Sequence, residues 1–155
     1  MEEEIENIPR VPPSMMPPTA AASPVAQHSP QSSPPHRILV VDDDASIRRV
    51  IGEMLAHCGY RLDEAPDGAV AWEALHTAPY DLLITDHDMP RLSGIALIEK
   101  LNAARISIPT ILMSGALPTE EANRNSAIHS VPMLLKPFTP DELLRMVEDI
   151  VSTDQ

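Results

Sequence analysis

The chain has a single cysteine, no basic cluster, no long apolar run and no internal repeat. Lone Cys58 excludes an internal disulfide and fits a reducing compartment; its place at the end of a helical pattern reads as a small buried residue. With 11 Lys and Arg against 23 Asp and Glu, the net charge is -12. Such a balance argues against direct nucleic-acid binding, which needs clustered cations on phosphate. No stretch is long enough to span a membrane, and the N-terminus lacks the basic start and apolar core of a signal peptide. A cytoplasmic chain without membrane insertion is expected. His28, His36, His57, His76 and His129 show no metal-ligand spacing and read as surface groups.

Proline, by contrast, is plentiful and unevenly placed. Nine of the 17 prolines fall in residues 1–36, together with the acidic start Glu2-Glu3-Glu4 and no Phe, Trp or Tyr. A segment of this kind cannot bury enough apolar surface to offset its ordering entropy, so 1–36 is expected to be a disordered, Pro-rich tail. Residues 37–152 form the folded unit, and 153–155 are a C-terminal end. That unit is long enough for a sizeable core.

Within it, short apolar runs alternate with amphipathic patterns. Strands are expected at 37–41, 61–65, 82–85, 110–113 and 133–135. Helices are expected at Ser46–Ala56, after Pro66-Asp67-Gly68, at Ile95–Asn102, weakly at Thr119–Ile128, and from Thr139-Pro140-Asp141 onward. In the first helix Ile47, Val50, Ile51, Met54 and Leu55 recur at helical spacing; in the second Val70, Ala71, Ala74 and Leu75 do so, with Trp72 at the edge. Asp44 and Thr139 are the expected caps of the first and last helices. Leu143, Leu144, Val147 and Ile150 make the buried stripe of the last. Apolar strands separated by helices indicate an α/β fold with a parallel sheet covered on both faces.

Charge ends three of those strands. Ile38-Leu39-Val40-Val41 runs into Asp42-Asp43-Asp44, Leu82-Leu83-Ile84-Thr85 into Asp86, and Met133-Leu134-Leu135 into Lys136-Pro137. Ligands of parallel sheets bind at the carboxyl ends of strands. Two carboxylates about 4 Å apart repel by roughly 4 kcal/mol at an effective dielectric near 20, so a cluster there needs a cation. Mg²⁺ suits all-oxygen donors, whereas zinc does not. A carboxylate beside Mg²⁺ and a lysine can attack phosphorus, and Asp86 is the best placed nucleophile.

These residues resemble the receiver domains of two-component response regulators. The match rests on Ile38 to Asp44, on Asp81-Leu82-Leu83-Ile84-Thr85-Asp86-His87-Asp88-Met89-Pro90, on Ser114-Gly115, and on Leu135-Lys136-Pro137-Phe138, with Asp67-Gly68 and Gly94 also in place. It implies a five-stranded sheet in the flavodoxin-like order 2-1-3-4-5. It further implies that Asp86 takes a phosphoryl group from a sensor histidine kinase or a histidine phosphotransfer protein, in a phosphoacceptor domain and not an enzyme with a separate substrate. Asp43 and Asp86 would be Mg²⁺ ligands, the main-chain carbonyl of Asp88 a third, and Asp42 would act mostly through metal-bound water. Lys136 would pair with phosphoryl oxygens, while Ser114 and the amides near His87 and Gly115 would donate to them. The family often carries Tyr or Phe where this chain has Met133, so an aromatic switch there is not expected; Met133 and His87 are candidate modulators. The last helix leaves a homodimer open. The chain's end soon after that helix suggests a free-standing receiver acting through an unknown downstream protein target, in output, relay or phosphate-sink mode. Two rivals are a phosphohydrolase using Asp86-His87-Asp88, where Pro90 breaks the pattern, and a constitutive adaptor.

Overall fold

The computed structural model describes residues 35–116, 120, 124 and 126–153. Five strands are present: β1 (Arg37–Val41), β2 (Arg61–Ala65), β3 (Leu82–Asp86), β4 (Thr110–Ser114) and β5 (Met133–Leu135). All pair in parallel, in the order β2-β1-β3-β4-β5. Four helices are described from end to end: α1 (Ala45–His57), α2 (Gly68–Thr77), α3 (Gly94–Ala103) and α4 (Pro140–Thr153). The expected strands therefore stand, with β3 and β4 each one residue longer.

Alternation along the strands divides the core into layers. Ile38 and Val40 of β1, with Leu82, Ile84, Ile111 and Met113, pack against Ile51 and Leu55 of α1 and Leu143, Val147 and Val151 of α4. Leu39, Val41 and Leu83 face the other way, onto Ala71 of α2 and Leu97 and Leu101 of α3. Leu112 closes a third cluster with Ile95, Ile98 and Ile128, against which the half-buried Met133 packs.

The caps are chemically explicit. Asp44 Oδ1 accepts from Ser46 N at 2.9 Å and Ile47 N at 3.4 Å. Thr139 Oγ1 accepts from Glu142 N at 3.2 Å while Thr139 N donates to Glu142 Oε2 at 2.8 Å, a reciprocal capping box.

Three expectations about burial fail. Cys58 is exposed, because it is the C-cap of α1 and sits on the turn leaving the helix. Val50 is 58% exposed and Val70 43%, both turned off the faces that meet the sheet. In α4 Val151 joins Leu143 and Val147 in the buried stripe, while Leu144 and Ile150 are only half-buried. The tail at 1–36, apart from its last two residues, lies outside the described residues. So does half of the helix expected at Thr119–Ile128; of its described residues Glu120 and Arg124 are helical and 126–128 are turns.

Candidate phosphoryl-acceptor site

Register brings the charged strand ends to one place. Val41 pairs with Thr85 and Asp86 with Met113, so Asp42 follows β1 at the level where β3 ends in Asp86. Ser114 pairs with Leu135, and Lys136 N donates to Ser114 O at 2.8 Å, carrying the lysine to the same edge. Carboxylate oxygens of Asp42, Asp43 and Asp86 lie within 4.8 Å of one another. Asp42 and Asp86 are buried and Asp43 is exposed, which gives the cluster a floor and an open side.

Lys136 Nζ lies 2.9 Å from Asp86 Oδ1 and 3.7 Å from Asp42 Oδ2. Burial works to lower the lysine pKa, but the hydrogen bond and charge of Asp86, backed by Asp42, hold it above the ordinary lysine value. Desolvation pushes the Asp42 carboxyl up; the Asp44 amide, donating to Oδ1 at 2.9 Å, opposes this, and the Asp86 charge adds to it. Asp42 Oδ2 accepts no hydrogen bond among the described residues. One ammonium facing three carboxylates leaves an excess of negative charge, and a buried oxygen still lacking a donor fits a hard divalent cation. Asp42, Asp43 and Asp86 are thus positioned to coordinate Mg²⁺.

The remaining predicted residues surround this cluster. Ser114 is buried, and its hydroxyl donates to the carbonyl of Ala116. Gly115 is exposed beside it, with nothing within 4 Å of where a Cβ would stand. Asp88 is exposed in the loop after β3. His87 is half-buried; its amide donates to Met113 O at 2.8 Å and its carbonyl accepts from Gly94 N at 3.0 Å. Lys136–Pro137 is a cis peptide. Gly94 is required by close approach, since a Cβ there would run into Asp86 O and Leu112. Arg48 has no place among the sequence-predicted site residues, yet its Nη1 donates to Asp42 O at 2.7 Å. A separate groove of about 530 Å³, lined by Tyr80, Asp81, Asn102, Thr110 and Pro132 among others, lies at the opposite ends of the strands.

Comparison with known proteins agrees with this geometry. The family model described as response regulator receiver domain matches residues 38–148. Chemotaxis protein CheY of Pseudomonas aeruginosa is 35% identical, over 74% of this chain and 94% of that protein. The 3',5'-cyclic-nucleotide phosphodiesterase regA of Dictyostelium discoideum is 32% identical, over 88% of this chain but 18% of that protein. Transcriptional regulatory protein DltR of Streptococcus agalactiae is 32% identical, over 72% of this chain and 50% of that protein. The chain thus spans half or less of the length of these last two relatives. Among solved structures, the receiver domain of Francisella response regulator 1452 superposes with a TM-score of 0.71 at 32% identity, covering 77% of this chain and 99% of that one. Response regulator TrrA of Thermotoga maritima, in complex with Mg²⁺ and BeF, gives 0.66 at 29% identity over 74% and 98%.

Proposed function

The chain belongs to the receiver domain family of two-component response regulators, and from that premise we propose that Asp86 is its phosphorylated residue. The observation that carries this is the ion pair of Lys136 Nζ with Asp86 Oδ1 at 2.9 Å, beside a cluster of three carboxylates. The donor is a sensor histidine kinase or a histidine phosphotransfer protein. One Asp86 oxygen attacks the phosphorus of a phosphohistidine; an O–P bond forms as the P–N bond breaks, and the electron pair leaves with the imidazole nitrogen. Lys136 transfers its contact from the carboxylate to the incoming phosphoryl oxygens and stabilises their charge. Asp43, Asp86 and the main-chain carbonyl of Asp88 would hold Mg²⁺, with Asp42 acting mostly through metal-bound water, and the ion would supply further stabilisation of that charge.

The acyl phosphate carries about -2 charge and strong acceptor oxygens. Ser114 exchanges its bond to the Ala116 carbonyl for one to the phosphoryl group, joined by the amides near His87 and Gly115. This exchange draws in the chain after Ser114 and alters affinity for a protein target. Met133, packed on Ile95, Ile98 and Leu112, gives a flexible side chain where a ring would otherwise act. His87 at the rim tunes water access. A second copy docking on α4 is the alternative target. The receiver unit is assigned to 37–152, flanked by the tail 1–36 and the end 153–155.

Incubation with Mg²⁺ and acetyl phosphate, followed by intact-mass measurement, tests the assignment. A labile phosphoryl adduct in wild type and none in Asp86→Asn is expected; an adduct that survives Asp86→Asn refutes it.

A further inference from the structure

Arg48 lies on the first turn of α1 with a side chain only 16% exposed. Its Nη1 donates to the main-chain carbonyl of Asp42 at 2.7 Å, and its Nε donates to Glu64 Oε2 on β2 at 3.2 Å. Glu64 is seated against Gly52 of α1, where a Cβ would stand 3.1 Å from Glu64 Oε1. One guanidinium therefore ties three elements together: the end of β1, the start of α1 and β2.

The carbonyl that Arg48 holds belongs to the peptide joining Asp42 to Asp43. Asp42 is otherwise fixed through its amide, which donates to Ala65 O at 3.2 Å, and through Oδ1, which accepts from Asp44 N at 2.9 Å. Asp43, in contrast, is exposed, so the direction of the backbone and not packing aims its carboxylate. Rotation of the 42–43 peptide plane would swing Asp43 away from Asp42 and Asp86.

We propose that Arg48 is a positioning residue for Mg²⁺-dependent phosphoryl acceptance: it locks the Asp42–Asp43 peptide so that the three carboxylates converge. The inference deepens the function proposed above and rests on it. Lysine cannot replace the arginine, because an ammonium is a point donor that does not reach a carbonyl and a carboxylate from two fixed N–H directions.

Titration calorimetry with MgCl₂ on the full chain tests this, using wild type, Arg48→Lys, Glu64→Ala and Asp63→Asn. Asp63 is on the same strand as Glu64 but bonds Arg37 and Tyr80, away from the carboxylates, so its substitution measures general loosening. Outer-shell partners of metal sites are typically worth 10–100-fold in affinity. Arg48→Lys is expected to weaken Mg²⁺ about tenfold and Glu64→Ala about threefold, by the same reasoning scaled to an indirect contact. Asp63→Asn should lower the unfolding midpoint and leave Mg²⁺ affinity unchanged. Affinity of Arg48→Lys within twofold of wild type overturns the inference, as does an equal loss in Asp63→Asn. If Arg48→Lys does not fold, Glu64→Ala decides: weakened binding supports the inference and unchanged binding overturns it. Failure of wild type to take up phosphoryl sinks the assignment of Asp86, whereas normal phosphorylation with unaltered Mg²⁺ affinity in Arg48→Lys sinks only this inference.

Discussion

Lys136 Nζ and Asp86 Oδ1 stand 2.9 Å apart although β4 separates the strands that carry them. The lysine reaches across because its backbone amide is held by Ser114 O at the end of β4. A cation is thereby parked on the Asp86 carboxylate, where it offsets part of the cost of burying that charge.

Removing that cation leaves Asp42 and Asp86 buried with excess charge. Lys136→Ala is expected to destabilise the metal-free protein by about 3 kcal/mol, the lower end for a broken buried pair because Lys136 is partly exposed. Millimolar Mg²⁺ should recover part of the loss. Urea unfolding with and without MgCl₂ reads both effects.

Asp42 works in the other direction. Its pKa is raised, chiefly by burial, so its ionised form costs stability at neutral pH. Asp42→Asn should therefore stabilise the metal-free protein by about 1 kcal/mol and weaken Mg²⁺ binding. Because the folded value lies above the unfolded one, the gap between variant and wild type opens as pH rises through it and closes in acid. Thermal unfolding across that range checks the sign.

At the far end of the sheet, Asp63 accepts from Tyr80 Oη at 2.8 Å and pairs with Arg37 Nη2 at 2.6 Å. The Tyr80 hydrogen bond, with Arg37 behind it, outweighs burial and lowers the Asp63 pKa. This contribution is fully present above the unfolded aspartate value and is lost as pH falls through the lower folded one. It is small, below about 1 kcal/mol, because the pair is partly exposed. Tyr80→Phe should flatten the acid limb of the stability curve without changing phosphorylation.

Two glycines at the site should respond oppositely to alanine. At Gly94 the added methyl meets Asp86 O and Leu112, so Gly94→Ala must displace the strand end that carries the acceptor. Overpacking of this kind typically costs 1–3 kcal/mol, and phosphorylation should slow at least about tenfold, since a displacement near 1 Å can cost a hundredfold. Gly115→Ala meets open space and should leave stability within about 0.5 kcal/mol of wild type. Chemical denaturation and initial rates with acetyl phosphate separate the two.

Much of this arrangement was legible because buried parallel strands are apolar throughout and end abruptly in charge. Asp42, Asp86 and Lys136 advertise themselves by following Val41, Thr85 and Leu135. Helix starts were equally plain, since Asp44 and Thr139 carry their capping chemistry in the side chain. Arg48 was not legible: its partner is a main-chain carbonyl of another element, and no residue type marks a carbonyl. The Arg37–Asp63–Tyr80 cluster escaped for a related reason, as it joins β1, β2 and the approach to β3, whose neighbours only register defines. Helical periodicity also overstated the apolar faces. Val50 and Val70 fit the repeat but fall outside the arc that meets the sheet, and Cys58 sits past the helix where periodicity no longer applies.

Borohydride trapping tests the central claim most directly. Reduction of an acyl phosphate converts the acceptor aspartate to homoserine, which peptide sequencing by mass spectrometry locates in the chain. After reaction with Mg²⁺ and a phosphohistidine donor, homoserine is expected at position 86 alone. Its appearance at 43 or 88 instead, or a stable phosphoryl group on His87, would contradict the account.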